Sequence, residues 1–159
     1  MVSQSAIVNQ PVIEGSIDID ASPAAVWAIV SDLKRMGEWS PQCTRMIIFG
    51  GKVKQGARTL NLNKQGWKRW PTNAKVIAFE PERKLAFRVV ENRSIWTYEL
   101  EPTATGTRLT ESRRIPHGVS KVSKVLTNTM LGGTPSFEAG LETGIRRTLE
   151  RIKAEAERS

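Results

Sequence analysis

Between Ile13 and Pro41 the chain passes from a period-two pattern into a capped helix and then into a tryptophan turn, and no other segment constrains the fold as tightly. Ile13, Gly15, Ile17 and Ile19 alternate with Glu14, Ser16, Asp18 and Asp20, the signature of a strand with one buried face. Ser22 offers a capping oxygen, and Pro23 is a first helical residue with no amide hydrogen to leave unsatisfied. The helix that follows buries a stripe of Val26, Ile29, Val30 and Leu33, with Trp27 beside it. It ends at Trp39-Ser-Pro41.

Beyond this turn the pattern is that of a meander. Met46 to Phe49 is a short apolar run closed by Gly50-Gly51, and Ala57 to Asn63 alternates around Leu60 and Leu62. Gln65-Gly66 reads as a hairpin turn, and Thr72 to Glu80 as a strand with Ala74, Val76 and Ala78 on one face. After Pro81-Glu82-Arg83, strands follow at Leu85 to Val89, Trp96 to Leu100 and Thr107 to Arg114. No helical stretch separates these strands, which excludes a doubly wound parallel sheet. The period then changes. Phe137, Leu141, Ile145, Leu149, Ile152 and Ala156 recur at steps of three or four, one apolar stripe on a helix of about 22 residues. Glu142 with Arg146, and Arg151 with Glu155, form i,i+4 pairs on the other face. Upstream, Val119, Val122, Val125, Leu126 and Met130 make a shorter amphipathic stretch. It is ended by Gly132-Gly133-Thr134-Pro135, which reads either as a hinge at a cavity mouth or as a plain linker.

The strand, Ser-Pro helix and Trp-Ser-Pro turn, together with the segment from Trp96 to Ser112, resemble the polyketide cyclase/dehydrase branch of the START-like (SRPBCC) superfamily from about Ile13 onward. The resemblance implies an α+β helix-grip fold: a curved antiparallel sheet of about seven strands around a long C-terminal helix, with two short helices after strand one. It also implies a cavity for an apolar ligand, with Trp39 at one rim. Residues 1 to 11 lack periodicity and read as a flexible arm, leaving 12 to 159 as the ligand-binding domain.

Size and chemistry agree with one domain. A chain of 159 residues buries enough surface to need no staple, and the single Cys43 cannot form an internal bridge, which fits a reducing, cytoplasmic setting. The first basic residue is Lys34, and neither a signal peptide nor a membrane-spanning run is readable. The only histidine, His117, sits in a loop sequence without a helical partner, so no metal site and no cofactor are expected. Nucleotide-binding glycine motifs and the serine-hydrolase elbow are absent from the sequence. Net charge is +8, and the excess is central: seven basic residues and no acid lie between Lys52 and Lys75, with Trp67 and Trp70 among them.

Polar groups that could act are those placed on the inner sheet face. Leu109, Glu111 and Arg113 share one face of the last strand, so an inward Leu109 carries the other two inward as well. Arg113, Glu111, Tyr98 and Arg88 are the candidate catalytic groups, with the face of Arg88 open and no ordered triad in view. Enzyme status is therefore left open. Candidate ligand contacts are Phe87, Trp96, Tyr98, Leu141 and Ile145 inside, with Trp39, Trp67 and Trp70 at the mouth. The function expected is non-covalent binding of a lipid, fatty acid or polyketide-like molecule by a monomer or homodimer acting as carrier, sensor or cyclase-like protein. The alternative is a binder of nucleic acid or anionic membrane using the basic 52–75 stretch.

Overall fold

The computed structural model describes residues 12–116 and 134–158, with side chains from 140 onward in the second segment. The arm, His117, the amphipathic stretch from Val119 to Met130, Gly132-Gly133 and the side chain of Phe137 lie outside the described residues.

Seven strands form one antiparallel sheet: β1 (Val12–Ile19), β2 (Cys43–Ile48), β3 (Arg58–Gln65), β4 (Lys68–Glu80), β5 (Lys84–Val89), β6 (Ile95–Pro102) and β7 (Thr107–Arg114). Their order is β1-β7-β6-β5-β4-β3-β2. The first two strands thus hold opposite edges, and the helical segment between them spans the sheet. That segment is α1 (Pro23–Val30), a 3-10 turn (Leu33–Arg35) and α2 (Met36–Trp39). Ser22 Oγ accepts from the Ala25 amide at 3.2 Å, the cap expected, and Val26, Trp27, Ile29 and Val30 are buried. Trp27 meets Phe79 edge to face, with ring centroids 5.3 Å apart.

The long helix α3 (Thr134–Arg158) carries the predicted stripe. Leu141, Ile145, Leu149, Ile152 and Ala156 are all buried, and the helix packs on β1, α1, α2 and β7. Close approach is possible because Gly15 has no side chain. A Cβ there would stand 3.3 Å from Ile145 Cγ2 and 3.4 Å from Leu149 Cδ1. Of the predicted i,i+4 pairs on α3, Arg151 and Glu155 take tertiary partners instead: Arg151 donates to the Trp39 carbonyl at 3.1 Å, and Glu155 pairs with Arg35 at 3.2 Å.

Three details of the sheet differ from the sequence reading. On β3 the inward residues are Thr59, Asn61 and Asn63, while Leu60 and Leu62 point outward. On β4 the register shifts between Val76 and Ala78. Phe79 therefore takes the inward position opposite Leu85, and Ala78 leaves the face it was expected to share. Finally, β4 starts at Lys68 rather than Thr72, so the hairpin is a two-residue turn with Gly66 at φ 61°, and Trp70 is a strand residue. Pro71 is tolerated there because β4 runs on past the end of β5. Asn73, two residues on, turns its backbone to the Val90 amide and the Glu91 carboxylate on that side, so the missing Pro71 N–H faces an open edge.

Gly37 yields a test of the α2 to β2 junction. A Cβ at this position would stand 2.1 Å from the Thr44 carbonyl oxygen, so Gly37→Ala, helpful in most helices, should here cost about 1–3 kcal/mol. The measurement is the melting temperature; an unchanged or raised value would show that α2 and β2 are not in contact as described.

Candidate ligand cavity

Between the inner face of the sheet, the α2 to β2 segment and α3 lies a cavity of about 100 Å3, open to solvent on one side. Its apolar wall is built by strand alternation. Phe87 and Val89 come from β5, Trp96 and Tyr98 from β6, Met46 from β2 and Leu141 from α3, with Met36 closing the floor. Trp70 and Asn92 stand where β4 and the β5–β6 turn end.

Of the eight candidate ligand contacts, Trp70, Phe87, Trp96, Tyr98 and Leu141 line this cavity. The other three do not. Trp39 is buried beneath the Arg35 guanidinium, 4.7 Å from its ring centroid, because the cation and the helix above it close the position where a rim was expected. Ile145 is spent against Gly15 on β1. Trp67 occupies the β3–β4 turn and is 84% exposed, since a two-residue turn points its second side chain outward.

The four candidate catalytic groups also separate. Arg88 is exposed on the outer face of β5, opposite in sense to Phe87 and Val89. Arg113 is buried on the inner face of β7 but is not among the residues lining the cavity. Glu111 and Tyr98 face each other across β6 and β7, and the Tyr98 hydroxyl donates to Glu111 Oε2 at 2.9 Å. Both side chains are buried, and Glu111 Oε1 has no hydrogen-bond partner among the described residues. Burial away from water pushes the Glu111 carboxyl up to about 8, partly offset by the Tyr98 hydrogen bond. At neutral pH it is mostly the neutral acid, a donor rather than an anion. Burial, and the Glu111 carboxyl beside it, hold the Tyr98 phenol well above its ordinary range, so it stays protonated too.

A wall missed by the sequence reading is amide and hydroxyl. Thr59 donates to Asn61 Oδ1 at 2.8 Å; Asn61 and Asn63 both donate to Thr72 Oγ1, at 3.2 and 3.0 Å; Asn63 also reaches the Trp70 carbonyl. The available signal was the alternation Thr59, Asn61, Asn63, set aside in favour of the leucines between them. Cys43 lines the cavity as well. Burial raises its thiol to about 11, which leaves it protonated and a poor nucleophile at neutral pH. Among the described residues no cluster of His, Cys, Asp and Glu could hold a metal ion.

Residues 10–157 match the family model described as polyketide cyclase / dehydrase and lipid transport. The chain belongs to that family. A polyketide-cyclase-like protein of Corynebacterium glutamicum, solved in solution, is 30% identical over 93% of this chain and 92% of its own, with a TM-score of 0.62. The Zhui aromatase/cyclase from a Streptomyces strain shares the fold with a TM-score of 0.70 at 16% identity, over 94% of each chain. The two-domain aromatase/cyclase StfQ of the steffimycin biosynthetic pathway matches 98% of this chain with 53% of its own length, at a TM-score of 0.76 and 13% identity. No curated protein matches the chain. The helix-grip architecture of the family is therefore the architecture seen here.

Proposed function

We propose that the cavity binds, without a covalent bond, a hydrophobic small molecule of the lipid or polyketide-like kind that presents a hydrogen-bond acceptor to Glu111. The buried Glu111 Oε1, without a hydrogen-bond partner among the described residues and set among aromatic and aliphatic walls, carries this reading. A polar atom so placed costs free energy unless a ligand satisfies it, and a neutral carboxyl satisfies a carbonyl by donating to it. Size narrows the reading further. An apolar cavity of roughly 150 Å3 holds benzene, so about 100 Å3 suits one ring or a short chain segment, the remainder leaving past Trp70 and Asn92. The described lining contains one carboxyl, Glu111, and no second acid or histidine. It can polarise a carbonyl but has no described base to take a proton from the neighbouring carbon, and this supports carriage or sensing over catalysis.

Displacement of the neutral probe N-phenyl-1-naphthylamine tests the reading. A ketone should displace it about three- to tenfold better than a hydrocarbon of equal size, the worth of one net hydrogen bond, and Glu111→Leu should erase that preference. Absence of a saturable probe site, or equal displacement by the two competitors, would refute it. The tryptophans make a second check. Trp70→Ala should weaken the probe about tenfold by removing apolar surface from the wall, whereas Trp67→Ala should leave it unchanged. Equal effects of the two substitutions would show that the turn, not the described wall, contacts the ligand.

A further inference from the structure

The outer face of the sheet sorts its charges in two ways. Toward one end, opposite signs stand across from each other: Glu80 pairs in register with Lys84, Lys84 with Glu99, and Arg108 with both Glu101 and Asp18, an arrangement that favours the fold. At the other end the register aligns Arg58 with Lys75, Lys75 with Arg88, Arg88 with Ile95, Ile95 with Arg114, and Arg114 with Val12. The Phe49 amide bonds to the Arg58 carbonyl and extends the row to the β2 edge. Four cations thus share one line across the sheet, three of them on consecutive strands. Strands stand about 4.8 Å apart, so Arg58 to Arg114 spans about 19 Å. None of the four forms an ion pair with a described residue. Of the nearby acids, Glu91 is held by the Asn73 amides, and Glu14 lies one outward row away, opposite Ser112.

Like charges placed directly opposite cost stability, so this row is an expense that folding does not explain. Its apolar members suggest what it meets. Phe49 is 56% exposed and Val12 52%, at the two ends of the row, and Val90, 57% exposed, follows Arg88 on the same face. Trp67, at the β3–β4 tip on the same end of the sheet, is flanked by Lys64, Lys68 and Arg69. We propose that this outer face docks on the surface of an anionic lipid bilayer, with the cations at the headgroups and Phe49, Val12, Val90 and Trp67 at the acyl boundary. A single-stranded nucleic acid would call for aromatic platforms among the cations; here the residues in line with the cations are the aliphatic Ile95 and Val12, and the aromatics Phe49 and Trp67 stand at the margins, the composition an interface of lipid accepts. No described helix is long and apolar enough to cross a membrane, so the contact is peripheral.

Flotation with vesicles tests this. The whole chain should float with vesicles of phosphatidylcholine mixed with phosphatidylglycerol, not with phosphatidylcholine alone, and added salt should release it. The triple variant Arg58→Gln, Lys75→Gln, Arg88→Gln should bind the mixed vesicles about a hundredfold more weakly, each cation near an anionic surface contributing about fivefold. Its thermal melt should be equal to or above that of the parent chain, and its cavity should bind N-phenyl-1-naphthylamine unchanged. Loss of vesicle binding is then separable from misfolding and from failure of the cavity reading. Equal binding to the two vesicle types, or a triple variant that floats like the parent, would overturn the proposal. So would binding of a single-stranded oligonucleotide through these cations by a chain that ignores the mixed vesicles.

Discussion

Ile145→Asp is expected to leave no cooperative thermal transition. Ile145 is buried mid-stripe on α3 and touches the sheet at Gly15, with its Cγ2 within 3.3 Å of where a Cβ would stand. A carboxylate there is taken out of water and set among the apolar residues of the stripe. The charge costs several kcal/mol even after relaxation, and removal of the aliphatic side chain from the core costs about 2 to 5 kcal/mol more. Total stability is roughly 5 to 15 kcal/mol, so the sum is of the same size as the whole. Ile145→Val, which removes one methylene, should cost only about 0.5 to 1.5 kcal/mol and keep a sharp melt. Circular dichroism during heating distinguishes the two. A near-parental melt of the Asp variant would mean that α3 does not grip the sheet through this stripe.

The second large effect is a pH dependence with a known sign. In the fold the Glu111 carboxyl is pushed up to about 8 from an ordinary 4.5, so the folded state holds its proton where the unfolded chain has released it. The stability this group allows is complete below about pH 4.5 and is lost as pH rises through about 8. At about 1.4 kcal/mol for each tenfold change in proton affinity, the loss is roughly 3 to 5 kcal/mol. Glu111→Gln keeps an acceptor for Tyr98 and cannot ionise. It should therefore be more stable than the parent at about pH 9 by most of that amount, and close to it at about pH 4. Melting curves of the two proteins across this range decide the matter: a constant difference would show that Glu111 is not the buried neutral acid described here.

Local chemistry was legible wherever a period or a cap was strong. Ser22 and Pro23 announced α1, the stripe from Leu141 to Ala156 announced the core face of α3, and the inward position of Glu111 followed from its step of two from Leu109. Legibility failed where two periodic readings competed. On β3, Leu60 and Leu62 looked like the buried set, yet Thr59, Asn61 and Asn63 face the interior, because a strand beside a polar cavity wall satisfies its amides there and leaves its leucines out. The fourth strand was expected to begin at Thr72, yet β4 starts at Lys68 and passes through Pro71 at an edge where no partner needs its N–H.

What the sequence determined by itself is the succession of elements and the identity of one buried face on β1, α1, β5, β6, β7 and α3, since each rests on residues two to four apart along the chain. Pairings between distant strands belong to the tertiary structure. Tyr98 and Glu111 are 13 residues apart in sequence and meet at 2.9 Å only because of the β6–β7 register. Arg58, Lys75, Arg88 and Arg114 fall on one line only because four separate registers agree. A shift of one residue in any of them would turn a side chain to the opposite face of the sheet, and local periodicity carries no information about that shift.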